Sequence, residues 1–252
     1  MTVAAPPLPN AEIVENALLG GRVRLRQPAR GYRAGMDAAL LAACVDAGPG
    51  QRVLEAGCGA GAVLMQIAAR RPDAVLTGLE RDPAMAALAR ENAALNGAKA
   101  TIVEGDVAAG FRAMGLEPFD LAVSNPPFFD DPGALRAPSP GKRGAWMADD
   151  GLKAWADFLL KGVREGGRIV VIHRADRLAD LLALLGEKAG SFAVRGIHPY
   201  ADEPAKRVLV SAIKTGKAPL RLLPPLVLHD RSGAKHTAEA EAILRGEAGL
   251  GW

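Results

Sequence analysis

From residue 52 onward, short apolar segments alternate with helical segments, and this alternation limits the chain to one class of fold. Seven segments have the length and apolar content of strands, at 52–56, 74–79, 100–103, 119–123, 168–172, 192–197 and 207–213. Helical segments separate most of these strands, at 62–70, 83–95, 151–163 and 176–188. Strands joined by helical crossovers lie parallel in one sheet. We therefore predict an α/β fold with a doubly wound, mostly parallel, seven-stranded sheet.

A stiff loop is predicted directly after the strand at 119–123, where the sequence reads Ser124-Asn125-Pro126-Pro127-Phe128. Two prolines donate no ladder hydrogen bonds, so the strand ends there. Open α/β sheets bind ligands at this carboxyl edge. The side-chain carbonyl of Asn125 and the backbone carbonyl of Pro126 could grip the two N–H bonds of an exocyclic amino group, with Phe128 stacked on its ring. The composition fits equally a turn in which Asn125 caps the strand and Phe128 packs in the core.

A glycine-rich turn joins the strand at 52–56 to the next helix. Gly57, Gly59 and Ala62 satisfy the dinucleotide-binding pattern G-x-G-x-x-A. With Glu55 before it and Gly61 within it, the same turn satisfies the acidic-x-G-x-G-x-G pattern of S-adenosylmethionine-dependent methyltransferases. The turn by itself leaves both cofactors open.

Carboxylates follow the next two predicted strands. Glu80 stands where a carboxylate can accept hydrogen bonds from ribose hydroxyls in either family, although it also fits a surface cap of the next helix beside Asp82. Asp106 stands where an adenine amino group could be bound. The 125–128 loop has no role in hydride transfer, so these features together favour S-adenosylmethionine.

Basic residues cluster in two places. Arg22, Arg24 and Arg26 alternate with apolar residues, which places three guanidinium groups on one face of a strand. That face is either a solvated edge or a phosphate-binding surface. A long predicted loop at 129–147 carries further basic residues, and we interpret it as a substrate lid. The candidate substrate-binding residues are Arg22, Arg24, Arg26, Arg33, Lys142 and Arg143.

Composition bounds the partners. The chain has 49% hydrophobic and 23% charged residues, so a substantial core is expected. Its net charge of +3 is compatible with a nucleic-acid partner without requiring one. Cys44 and Cys58 are the only cysteines, and the four histidines show no metal-ligand spacing. With no signal peptide and no apolar stretch of membrane length, we expect a cytoplasmic protein that binds neither a metal ion nor a membrane.

Taken together, the motifs resemble the class I S-adenosylmethionine-dependent methyltransferases that modify exocyclic or amide nitrogens, whose hallmark is Asn/Asp-Pro-Pro-Tyr/Phe. Two flanking stretches, QP…GYR…D…LLA at 27–42 and LVLHD…T…E…AIL at 226–244, are similar to the bacterial tRNA(Val) adenine-N6-methyltransferases. Phe128 stands where many members have tyrosine, and Glu55 replaces the more usual aspartate. The resemblance implies a Rossmann-like methyltransferase fold, S-adenosylmethionine as cofactor, and RNA, in the first place tRNA, as substrate.

The same resemblance implies roles for individual residues. The catalytic candidates are Asn125, Pro126, Pro127 and Phe128. The cofactor-binding candidates are Glu55, Gly57, Gly59, Gly61, Glu80, Asp106 and Asn125. Guanine N2 of ribosomal RNA and a protein glutamine amide are alternative acceptors. A module that binds a nucleotide cofactor without catalysis is the alternative of a different class.

The domain organisation follows from these assignments. We expect residues 1–12 to be disordered and residues 13–50 to form an N-terminal extension of hairpin, loop and helix. Gly20-Gly21 between apolar residues predicts the hairpin turn, and Asp37 before a run of helix formers predicts an N-cap. Residues 51–252 would form the S-adenosylmethionine-binding catalytic domain with the C-terminal tail packed on it.

Overall fold

The structure is a computed structural model and describes residues 12–30, 34–127, 148–231 and 233–252. The helices are α1 (Met36–Ala43), α2 (Ala62–Arg70), α3 (Pro83–Leu95), α4 (Ala148–Gly162), α5 (Leu178–Gly186) and α6 (Ala238–Arg245). The strands are β1 (Ile13–Leu18), β2 (Val23–Pro28), β3 (Arg52–Ala56), β4 (Val75–Glu80), β5 (Ala100–Glu104), β6 (Phe119–Ser124), β7 (Val163–Arg174), β8 (Ala189–His198), β9 (Arg207–Lys214), β10 (Arg221–Leu222) and β11 (Leu226–Val227).

In the described part of the chain, nine strands form one central sheet in the order β10-β8-β9-β7-β6-β3-β4-β5, with β11 also paired to β8. The strands from β7 across to β5 are parallel, while β9 runs antiparallel to both of its neighbours. The predicted α/β class with a mostly parallel sheet is confirmed. The predicted count of seven strands is too low because β10 and β11 have only two residues each, too few to show strand periodicity in the sequence.

Helices cover both faces of this sheet. Val53 of β3 belongs to an apolar layer that includes residues of α1, α2, α3 and α6. Its neighbour Leu54 belongs to a second layer with residues of α4 and α5. Successive strand residues point to opposite faces, so one apolar strand serves two cores. The parallel strands consequently end together at one edge, which leaves their carboxyl-terminal loops close to each other.

The N-terminal extension contains the predicted hairpin. β1 and β2 pair antiparallel from Ile13 opposite Pro28 to Leu18 opposite Val23. The turn includes Gly20 at φ +64° and Gly21 at φ +93°, backbone conformations that residues with a side chain rarely adopt. The hairpin prediction is confirmed.

The predicted N-cap at Asp37 is wrong. α1 begins at Met36 after Gly35, so Asp37 lies inside the first turn. Its carboxylate accepts a hydrogen bond from Nε of Arg207 at 3.0 Å. A residue so distant along the chain left no local signal at Asp37.

The C-terminal segment lies against α1 and α2. Arg70 donates hydrogen bonds to the carbonyls of Ile243 and Ala248 at 2.6 and 2.8 Å, and the indole of Trp252 donates to the carbonyl of Cys44 at 3.0 Å.

Within the described residues, no helix has the length and apolar character needed to cross a membrane. The predicted lid at 129–147 lies outside the described residues.

His173 at the end of β7 predicts a dependence of stability on pH. It is 3% exposed, and its Nδ1 accepts a hydrogen bond from the amide of Arg174 at 2.8 Å. Burial, reinforced by the positive charges of Arg177, Arg174 and Arg207 and opposed by Asp176, lowers the pKa of His173 from 6.5 to about 4. The unfolded chain therefore binds more protons than the folded chain between these values. We expect the free energy of unfolding to fall by about 3 kcal/mol from this group as the pH drops from 6.5 to 4.

Urea unfolding of the wild type and of a His173→Gln variant, at several values between pH 7 and pH 4.5, measures this contribution. The stability of the variant should decline less steeply across the window, because the carboxylates that titrate at lower pH are common to both proteins. Parallel pH profiles of the two proteins would contradict the assignment.

Candidate functional site

The glycine-rich turn lies where β3 leaves the sheet at its carboxyl edge. Gly57, Gly59 and Gly61 have φ angles of +71°, +53° and +84°. The amides of Gly57 and Cys58 both donate to the carbonyl of Leu79, at 2.8 and 2.9 Å, which ties the turn to the end of β4. The three glycines thus adopt a conformation that favours glycine and allows the backbone to approach a ligand.

The side chain of Glu55 caps the helix that follows this turn. Its side chain is 3% exposed, and Oε2 accepts a hydrogen bond from the amide of Leu64 in the first turn of α2 at 3.1 Å. Gly61 at the N-cap of α2 has no side chain, so Glu55 supplies the acceptor that an N-cap residue usually provides. Burial raises the pKa of Glu55 well above its ordinary range, with the Leu64 amide opposing and the charge of Glu80 reinforcing the rise. The contact that the structure gives Glu55 is therefore with α2.

Glu80 reaches across the end of β4 to the same turn. Its Oε2 accepts from the amide of Gly59 and its Oε1 from the amide of Asp82, both at 2.9 Å. The N-cap of α3 is Asp82, whose side chain accepts from the amides of Ala84 and Met85. The alternative role of Glu80 as the helix cap is thus filled by Asp82. Each oxygen of Glu80 retains a lone pair that can accept from a ribose hydroxyl.

Asp106 follows β5 on the far side of Glu80. The amide of Gly105 donates to the backbone carbonyl of Glu80 at 3.0 Å, which keeps the two strand ends together. Oδ1 of Asp106 accepts from the amide of Ala108 at 2.9 Å and caps a short 3-10 helix. The side chain is half-buried, so the structure brings both predicted carboxylates to one edge beside the glycine-rich turn.

Asn125 leaves the sheet beside Gly57. Ala56 of β3 and Ser124 of β6 are register partners, and Oγ of Ser124 donates to the carbonyl of Ala56 at 2.9 Å. The residues that follow them are Gly57 and Asn125, so the two motifs start from neighbouring strand ends about 4.8 Å apart. Asn125 is half-buried and Pro126 buried, while Phe128 lies outside the described residues.

A tryptophan packs against the glycine-rich turn, and no pattern in the sequence predicted it. A Cβ atom on Gly57 would lie 2.4 Å from Cη2 of Trp155 and 3.2 Å from Cζ3. Trp155 belongs to α4, which begins after the segment that follows Asn125. Gly57 therefore has two reasons to lack a side chain, its positive φ and this indole ring.

The structure does not arrange the three predicted arginines as one stripe. β2 begins at Val23, and Nη2 of Arg22 donates to the carbonyls of Arg245 and Gly246 at 3.1 and 2.7 Å, at the end of α6. Arg24 and Arg26 do share a face, where both bind Glu15, at 2.7 and 3.3 Å. Arg33, Lys142 and Arg143 lie outside the described residues.

Aromatic and histidine rings form a cluster at the carboxyl end of β8, which the sequence analysis did not predict. The centroid of Tyr200 lies 5.6 Å from that of His229, which stacks on His236 at 5.1 Å. The guanidinium of Arg231 lies 4.9 Å over the ring of Tyr200 and pairs with Asp202 at 2.9 Å. β8 is parallel to β6 and three strands away, about 14 Å across the strands, so this cluster lies on the same side of the sheet as Asn125. The register places Val194 level with Ser124, so β8 extends four residues beyond the end of β6 before it reaches the cluster.

A doubly wound sheet with a glycine-rich turn after β3, a carboxylate after β4 and an Asn-Pro-Pro segment after β6 defines a class, the Rossmann-like methyltransferases that use S-adenosylmethionine. Within that class, residues 33–136 match the family model described as the methyltransferase small domain. The predictions of the class and of S-adenosylmethionine as cofactor are confirmed.

Curated relatives share parts of the chain. A Porphyromonas gingivalis protein named tRNA1(Val) (adenine(37)-N6)-methyltransferase is 34% identical over 172 residues, 64% of this chain and 66% of that protein. A Geobacter sulfurreducens protein named release factor glutamine methyltransferase is 41% identical over 76 residues, 30% of this chain and 26% of that protein. The matches thus span from about a quarter to just under two thirds of these two relatives.

Solved structures have the same fold. A structure described as a predicted O-methyltransferase from Agrobacterium tumefaciens is 29% identical, covers 86% of this chain and 99% of its own, and has a TM-score of 0.70. The T. thermophilus 16S rRNA N2 methyltransferase, in complex with AdoMet and guanosine, is 23% identical, covers 83% of this chain and 52% of its own, and has a TM-score of 0.58. The second likeness supports the fold alone.

Proposed function

We propose that this protein transfers a methyl group to an exocyclic amino nitrogen, in the first place N6 of adenine in a tRNA. The observation that carries the proposal is the register of β3 and β6, which starts Asn125 and the glycine-rich turn from neighbouring strand ends. A group held by the turn and a group held by Asn125 would then meet above the same edge of the sheet. S-adenosylmethionine supplies a methyl group already activated as a sulfonium, so positioning accounts for much of the acceleration.

In this proposal the chain's own residues hold both reactants. The glycines at 57, 59 and 61 make room for the methionine part of the cofactor, Glu80 accepts from the ribose hydroxyls, and Asp106 binds the adenine amino group. Asn125 and the carbonyl of Pro126 accept from the N–H bonds of the acceptor. The nitrogen lone pair then turns toward the methyl group, the new N–C bond forms as the S–C bond breaks, and one amino proton leaves to solvent.

The choice of acceptor rests on the relatives. The similarity to the P. gingivalis tRNA adenine methyltransferase extends over 64% of this chain, against 30% for the release factor glutamine methyltransferase. The shorter match nevertheless favours a second candidate, a glutamine amide. Asn125 and the two prolines serve both acceptors, because adenine and glutamine each present a planar NH₂ group whose lone pair is delocalised.

A cytoplasmic location, where Cys44 and Cys58 stay reduced, is part of the proposal.

The ring cluster at the end of β8 supports RNA as the partner. Tyr200, His229 and His236 offer π faces at the edge where the acceptor base would enter, and single-stranded bases stack on such rings. Asp202 pairs with Arg231 and neutralises its charge. We therefore propose that the ring cluster contributes to RNA binding more through stacking than through charge.

Tyr200→Ala is expected to weaken RNA binding about tenfold, since the loss of one stacking ring costs about 1–3 kcal/mol. Tyr200→Phe keeps the ring and should bind as the wild type does. Fluorescence anisotropy with a labelled tRNA measures both. An alanine variant that binds RNA with wild-type affinity would remove the cluster from the proposed interface.

Nucleoside mass spectrometry of unmodified bulk tRNA, after incubation with the protein and S-adenosylmethionine, tests the function. We expect a new N6-methyladenosine peak, which should be strongly reduced when Asn125→Ala replaces the wild type. No methylated nucleoside from tRNA, with cofactor binding demonstrated, would overturn the tRNA assignment. Parallel incubations with ribosomal RNA and with a release factor then identify the acceptor.

A further inference from the structure

Asn92 of α3 lies where three parts of the structure meet. Its side chain is fully buried, at 0% exposure. Nδ2 donates to the backbone carbonyl of Arg26 in β2 at 2.8 Å and to that of Ala60 in the glycine-rich turn at 2.9 Å. Oδ1 accepts from the amide of Arg26 at 2.8 Å. Both donors of the amide and one of its lone pairs are thus used.

Asn96, one helical turn later, makes the same pair of bonds with the next position of the hairpin. Its Oδ1 accepts from the amide of Arg24 at 2.8 Å, and its Nδ2 donates to the carbonyl of Arg24 at 2.7 Å. Four residues of helix rise about 6.0 Å and two residues of strand about 6.6 Å, so two asparagines at this spacing match the free edge of β2. The remaining bond of Asn96 goes to the carbonyl of Asn92 within α3, at 2.7 Å. Of these two asparagines, Asn92 is the one whose side chain also bonds to the glycine-rich turn.

The carbonyl of Ala60 is an effective point at which to hold the turn. It lies between Gly59 and Gly61, which both have positive φ. The Gly61 amide of the same peptide group donates to the carbonyl of Cys58 at 2.8 Å, so Asn92 holds the other side of a peptide that the turn itself already bonds once. The amide of Gly59 is held by Glu80 at 2.9 Å, on the other side of the turn. The turn is therefore held from β4 through Glu80 and from the hairpin through Asn92.

We infer that Asn92 is a positioning residue that makes the N-terminal hairpin part of the cofactor site. The hairpin orients the Asn92 amide, and that amide keeps the 57–61 turn in the conformation that accepts S-adenosylmethionine. Because coupling between two sites is reciprocal, cofactor binding must in turn stabilise the hairpin. The inference rests on the cofactor part of the proposed function and is independent of the acceptor.

Cofactor affinity of Asn92→Ala and Asn96→Ala, measured by isothermal titration calorimetry, separates positioning from general stability. Each variant removes two bonds to β2, but only Asn92→Ala frees the Ala60 carbonyl. We expect Asn92→Ala to bind S-adenosylmethionine about tenfold more weakly, and Asn96→Ala to stay within about twofold of the wild type. Equal losses in the two variants, or unchanged affinity in Asn92→Ala, would overturn the inference.

Hydrogen exchange of the wild type tests the coupling without any variant. At a cofactor concentration about 100 times its dissociation constant, openings that release the turn become up to about 100-fold rarer. The amide of Arg26, which donates to Asn92, should therefore exchange more slowly with cofactor present, while amides of α5 serve as the reference. Protection that rises in the turn and stays unchanged at Arg26 would contradict the inference. A wild type that fails to bind the cofactor would overturn the proposed function instead.

Discussion

Replacement of Asn125 by alanine is expected to lower turnover about 100- to 1,000-fold, the size of effect seen when one preorganised hydrogen-bonding group is removed from an active site. The alanine side chain accepts no hydrogen bond from the acceptor amino group, so the nitrogen lone pair is no longer directed at the methyl group. The affinity for S-adenosylmethionine should stay close to that of the wild type, because Glu80 and the glycine-rich turn are unchanged. Single-turnover assays and calorimetry measure the two quantities separately.

Asn125→Asp is the matched control for this prediction. The carboxylate keeps an oxygen acceptor at the same position and nearly the same volume, so we expect it to retain more turnover than the alanine variant. Unchanged turnover in Asn125→Ala would sink the assignment of this residue. An equal loss of cofactor affinity and turnover would place Asn125 in cofactor binding instead.

Among glycine-to-alanine substitutions in the glycine-rich turn, Gly57→Ala is expected to reduce stability the most. The new Cβ would lie 2.4 Å from Cη2 of Trp155, and the residue would have to keep φ at +71°. The left-handed backbone costs about 1–2 kcal/mol and overpacking about 1–3 kcal/mol. We therefore expect the free energy of unfolding to fall by about 2–5 kcal/mol, together with a loss of cofactor affinity, since the turn must move to admit the methyl group.

Gly59→Ala provides the comparison within the same turn. Its φ is +53°, yet no atom lies within 4 Å of an added Cβ, so it incurs the backbone cost alone. Urea unfolding should give Gly57→Ala a clearly lower free energy of unfolding than Gly59→Ala. Trp155→Leu in the Gly57→Ala background should recover part of the difference, because it removes the ring that the methyl group meets. Equal destabilisation by the two substitutions would contradict the prediction, because it would mean that the Trp155 ring moves away from the new methyl group without a loss of stability.

Local patterns predicted the parts of the site that lie in continuous segments. The glycine-rich turn, Glu80 and Asp106 each follow a predicted strand, and the rule that parallel strands end at one edge was enough to expect them together. The register of Ala56 with Ser124 adds what the pattern could not, the neighbour relation between Gly57 and Asn125.

The errors arose where a residue's partner is distant in the chain. Arg22 alternates with apolar residues as a strand face would, but its guanidinium lies on the carbonyls at the end of α6. Asp37 has the sequence context of an N-cap, but it pairs with Arg207. In both cases a charged side chain fits a local sequence rule, but in the structure it makes a charge-assisted hydrogen bond to a residue far along the chain.

The sequence by itself determined the order of strands and helices, the class of sheet and the motifs at its carboxyl edge, because strand periodicity, glycine-rich turns and prolines act on neighbouring residues. Only the tertiary structure decided that Trp155 lies against Gly57, that Tyr200 joins two histidines, and that Asn92 connects the hairpin to the cofactor turn. These contacts join residues far apart in the chain. They depend on how whole elements pack, and no short-range pattern in the sequence encodes that packing.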